Sequence, residues 1–173
     1  MLLMYNIIMK NKLANIILFV FGISLNIFSQ NLQKNLMTFD IVDANINGND
    51  DSEFYKSKMA HVTFYQNIKD SVFNLAIVWP IDKSMSYGPI YTHPLKVNDE
   101  LYEGHKTEKT YYQWFFMNSY DQEKGYADVE FSIVYSNNSP FYVLRIITHN
   151  DFKILTFKGY INEKLTGLTT EIK

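Results

Sequence analysis

Cysteine is absent from all 173 residues. That excludes a disulfide framework, a cysteine nucleophile, a thiolate metal site and a lipid-modified N-terminal cysteine. Arginine is almost absent: fifteen lysines stand against one arginine, Arg145. With Asn and Ile abundant, the skew reads as the codon bias of an AT-rich, bacterial genome. It also argues against a surface selected to grip phosphate or carboxylate, where guanidinium groups are preferred. There is no basic excess, because the formal net charge is −2. Nucleic acid is therefore excluded as an electrostatically recruited partner. Catalytic signatures are missing as well. The chain has no Gly-x-Ser-x-Gly, no His-Glu-x-x-His and no Gly-rich phosphate loop, so a non-enzyme without a cofactor is expected. The four histidines, His61, His93, His105 and His149, have neither the i, i+2 nor the i, i+4 spacing that sets two ligands on one face.

Acids are also missing from residues 1–30, which carry only Lys10 and Lys12. An apolar run from Leu13 to Phe28 follows the lysines, and Ser29 closes it. A basic start, an apolar centre and a small residue form the plan of a secretory signal peptide over 1–29. The uninterrupted apolar centre, Ile16 to Leu25, falls short of the roughly 20 residues of a spanning helix. Cleavage near Ser29/Gln30 is expected to leave residues 30–173 as a single all-β domain, secreted or periplasmic, without a transmembrane helix. Met9-Lys10-Asn11-Lys12 reads as a better start than the apolar Met1-Leu2-Leu3-Met4.

The whole chain is 47% hydrophobic and 16% aromatic, which suits a packed core and not disorder. Period-two alternation recurs between turn residues. Over Tyr126–Tyr135, Ala127, Val129, Phe131, Ile133 and Tyr135 face one way while Asp128, Glu130 and Ser132 face the other. Further strands are expected at Leu36–Ile46, Phe54–Tyr65, Ser71–Trp79, Ser84–Tyr91, Lys106–Asn118, Phe141–His149 and Phe152–Ile161. Only the piece after Asn162 has weak helical potential. Short turns favour antiparallel neighbours. The expected fold is all-β and antiparallel, with about eight strands, an up-and-down barrel being preferred over a two-sheet sandwich. In size and strand count the chain resembles a lipocalin-type secreted barrel. It departs from that family in lacking its Gly-x-Trp motif, since neither Trp79 nor Trp114 has Gly two residues before it. No family residue is carried over.

Residues 80–104 hold Pro80, Pro89 and Pro94. Proline cannot donate to a ladder, so an edge strand plus a long loop is expected there. Beside it, Tyr111-Tyr112-Gln113-Trp114-Phe115-Phe116 is apolar on both faces, as in a central strand. Tyr87, Tyr91 and Trp114 are the candidate ligand contacts, and Arg145 the candidate anchor for a carboxylate. Asp43-Ala44-Asn45-Ile46-Asn47-Gly48 matches the first half of a calcium loop. Phe54 occupies the twelfth position where that pattern needs Glu, and Glu53 lies one residue early. Asp43, Asn45, Asn47 and Glu53 form a weak calcium candidate, with an Asn-Gly hairpin as the simpler reading. The expected role is a non-catalytic secreted binding protein for a small apolar ligand. The alternatives are an envelope protein with a protein partner and a small outer-membrane barrel.

Overall fold

The computed structural model describes the backbone of residues 31–137 and 139–172, and the side chains of 32–92, 101–137 and 139–170. The expected signal peptide and the alternative start at Met9 lie outside the described residues. In chain order the elements are β1 (Asn31–Ile46), β2 (Asn49–Asp50), α1 (Ser52–Ser57), β3 (His61–Asn67), β4 (Phe73–Trp79), β5 (Ser84–Tyr102), β6 (His105–Asn118), β7 (Lys124–Tyr135), β8 (Phe141–Thr148), β9 (Ile154–Ile161) and β10 (Thr169–Ile172).

The alternation read from the sequence sets which way each strand faces. On β7, Ala127, Val129 and Phe131 are buried inward while Tyr126 and Asp128 are exposed. Every pairing between successive long strands is antiparallel. β1 and β3 to β9 close into an eight-stranded up-and-down barrel. Closure depends on β1, which uses its two ends differently. Gln33 to Asp40 pair with β3, and Phe39 to Ile46 pair with β9. A register shift between Ile41 and Asp43 marks the handover, as a bulge bends a strand to pass from one neighbour to the next. The seam is close-packed: a Cβ on Gly159 of β9 would lie 2.0 Å from the Asp40 carbonyl oxygen.

An eight-stranded barrel is just wide enough for side chains to fill, or for one small ligand. Phe39, Val62, Leu75, Val129, Leu144 and Phe157 are fully buried inside it. Phe39 and Phe131 both stack on Tyr142, at centroid distances of 5.8 and 6.0 Å. A second apolar cluster of Val134, Phe141, Val143 and Tyr102 lies on the outer face of the wall. It is covered by the tip of the β5–β6 hairpin, where Glu103 and Gly104 take φ of 50° and 83°, a type I′ turn.

Three expectations fail. Phe54–Tyr65 is not one strand: α1 occupies its first residues and β3 starts at His61. Six helical residues show too little periodicity to stand out from a short apolar run. Residues 80–104 are not an edge strand followed by a long loop: β5 runs on to Tyr102, with β4 as partner over Ser84–Pro89 and β6 over Ser86–Tyr102, so beyond Pro89 it is an edge but still a strand. The register shifts between Thr92 and Lys96, which brackets Pro94, so the missing donor falls where the ladder is already interrupted. After Asn162 the chain makes turns and then β10, which pairs with β1, and no helix.

Candidate functional site

Two cavities occupy opposite ends of the barrel interior and share no lining residue. The one at the far end from α1, of about 310 Å³, is lined by Met37, Phe64, Phe73, Ile90 and Phe131, with Asn74 and Thr92 as its polar residues. The one at the α1 end, of about 190 Å³, mixes apolar walls with convergent polar groups. That mixture is the usual form of a small-molecule site, and it makes the α1-end cavity the candidate.

Local structure places its walls. α1 is anchored because the Ser52 hydroxyl accepts a bond from the Ala44 N–H at 3.0 Å. This sends Tyr55 into the barrel, 5.0 Å from the Phe157 ring and 6.1 Å from Trp79. Burial, with Asp51 and Tyr120 nearby, pushes the Tyr55 hydroxyl up to about 12, so it stays a protonated donor. Trp79 ends β4, and Trp114 faces inward from β6, 5.1 Å from Phe116. Ser86 and Asn118, opposite each other on β5 and β6, close a buried hydrogen bond of 2.6 Å. The loops at this end turn through left-handed residues Lys83, Gln122 and Phe152.

The charged rim is internally committed. Asp151 accepts from the Thr148 hydroxyl at 2.5 Å and pairs with Lys153 at 2.6 Å. Those partners, Lys153 first, hold the Asp151 carboxyl down at about 2, and Asp151 in turn raises the Lys153 ammonium. Glu123 adds a second carboxylate to the lining. Two donors are uncommitted. The indole N–H groups of Trp79 and Trp114 are buried and meet no acceptor among the described residues. A buried donor without a partner costs about 1–3 kcal/mol.

The structure divides the residues named from sequence. Trp114 is inside and 3% exposed. Tyr87 and Tyr91 lie on the outer face of β5, since Ser86 and Ile90 face inward. Tyr91 is 56% exposed and meets Phe115 edge-on at 5.5 Å. Arg145 is exposed on the outside of β8, opposite Glu130, in a shallow outer groove with Tyr111, Gln113 and Ile147. Only Trp114 belongs to the cavity. Trp79, Tyr55, Asn118 and the Asp151–Lys153 pair were not singled out. Trp79 had a signal, because it ends an alternating apolar face with Leu75 and Ile77. Tyr55 reaches the site on a short helix and the Asp151–Lys153 pair on a loop, neither of which alternation reveals, and Asn118 is the last residue of β6.

The calcium candidate is a hairpin. Asn47 and Gly48 have φ of 53° and 89°. Asn45 Oδ1 accepts from the Gly48 N–H and Asn47 Oδ1 from the Ile154 N–H, each at 2.8 Å. Asp43 sits opposite Lys158 on β9, and Glu53 points to solvent from α1 in a pair with Lys56. Among the described residues no three acidic or histidine side chains gather as metal ligands. No protein-family model, curated protein or solved structure matches the chain.

Proposed function

We propose that this is an exported, non-catalytic binding protein that holds a small, mainly apolar ligand in the α1 end of a lipocalin-like barrel. The observation that carries the reading is the cavity of about 190 Å³ whose aromatic walls include two buried indole donors that have no partner among the described residues. Export rests on the acid-free, Lys-led apolar segment ending at Ser29. The distribution of polarity favours a water-facing barrel over a membrane-spanning one. The interior is apolar, while Asp128, Glu130 and Arg145 decorate the outer wall, the reverse of an outer-membrane barrel. No helix among the described residues is long and apolar enough to cross a membrane.

Native mass spectrometry of the protein recovered from its host tests both halves at once. The expected species begins at Gln30 and carries a small molecule lost on activation. A chain starting at Met1 or Met9 would remove export. A stable complex with another protein and no small molecule would replace ligand binding with the envelope-interaction reading.

A further inference from the structure

We infer that the occupant of the α1-end cavity is a neutral molecule about the size of a single aromatic ring, carrying an oxygen acceptor that takes an indole N–H of Trp79 or Trp114. This rests on the binding reading above and narrows it to a chemical class. Size comes first. A cavity of 150 Å³ lined by apolar side chains holds benzene, and this one is about 190 Å³. One substituted ring fills that volume.

Polarity comes next. An indole nitrogen only donates, and both indole N–H groups are buried and unpartnered. A pure hydrocarbon would leave them so, whereas a carbonyl or ether oxygen would satisfy one. Both indole nitrogens are closed off from the cavity as it stands, so the oxygen reaches one only when a neighbouring lining side chain such as Phe116 or Tyr120 turns aside. The neighbouring Ser86–Asn118 bond is already closed, so it does not compete for that oxygen.

Charge decides against an anion. The lining contains one cation, Lys153, and it is tied to Asp151 at 2.6 Å. Glu123 leaves the rim with one carboxylate in excess. A buried ligand carboxylate would find no free counter-charge and would face repulsion at the mouth.

Isothermal titration calorimetry of the whole chain with acetophenone, ethylbenzene and benzoate tests this. The three share a ring and differ in the acceptor and its charge. Acetophenone is expected to bind about tenfold tighter than ethylbenzene, the usual yield of satisfying one buried donor, and benzoate more weakly than acetophenone. Trp79→Phe and Trp114→Phe keep a ring and remove the donor. One or both should erase the advantage of acetophenone over ethylbenzene. Should either variant fail to fold, the ligand series on the unmodified chain decides. Equal binding of acetophenone and ethylbenzene would overturn the acceptor inference and leave the binding reading standing. Tightest binding by benzoate would overturn neutrality. Binding of none of the three would remove both this inference and the cavity as the ligand site.

Discussion

At the scale of single residues, the buried phenols make the fold sensitive to alkali. Burial pushes Tyr55 and Tyr65 up to about 12, with Tyr87 adding to the shift at Tyr65. A tyrosine in the unfolded chain ionises near 10. Below about pH 10 both states hold the proton, and the contribution of each group to stability is fully present. As pH rises toward about 12, the unfolded chain releases protons that the folded chain keeps, so stability falls. Each tyrosine accounts for on the order of 2–3 kcal/mol across that window. Urea midpoints measured from about pH 9 to about pH 12 should decline with this slope. Tyr65→Phe should flatten the decline by about one proton's worth. A decline unchanged in both Tyr65→Phe and Tyr55→Phe would show that neither phenol controls it. Inward residues such as Phe131 were legible because alternation names them. Tyr65 was not: it faces away from the interior yet is only 6% exposed, and burial on the outer face has no signature in a period of two.

At the scale of elements, the longest hairpin is held at its tip by few contacts. Tyr102 packs with the outer cluster, and its ring meets Phe141 at 6.2 Å. Lys158 lies 4.3 Å from the Phe141 ring centroid and 3.4 Å from Glu103. The exposed ion pair is worth at most about 1 kcal/mol, so Phe141 is the main fastener. Phe141→Ala should cost about 3 kcal/mol, toward the lower end for a buried Phe because the site lies at the wall's outer surface. Hydrogen exchange should accelerate at amides near 101–107, while amides of β3 and β8 keep protection relative to global stability. Uniform acceleration across all strands would mean that the tip and barrel open as one unit. β7 was legible from sequence because it is an alternating run, and β6, β8 and β9 because β-forming residues there are bounded by turn residues. β5 was misread because the prolines were weighed as breakers, whereas one of them, Pro94, falls within a register shift.

At the scale of the whole molecule, closure concentrates stability in one seam. β9 is the strand whose two ladders join β8 to β1, so its loss leaves two open edges and an uncovered core. Ending the chain after Asp151 should abolish cooperative unfolding and expose the interior to dye binding. Ending it after Ile161 is a different cut. That removes the segment in which Gly167 and Leu168 bond to Asn35, and in which Asn162 and Thr166 bond to Thr38, but it keeps the seam. At about 1 kcal/mol for each net hydrogen bond, the shorter loss should lower stability by about 2–4 kcal/mol and preserve a single transition. Circular dichroism and urea unfolding of the two truncations compare them directly. If the chain ending at Asp151 still unfolds in one sharp transition, a wall of β1 and β3 to β8 is stable when open. The α1-end cavity would then have to form without Lys153 and Leu155. Because Leu155 lines that cavity, the same open barrel should bind acetophenone less tightly than the closed one, which ties closure to ligand retention.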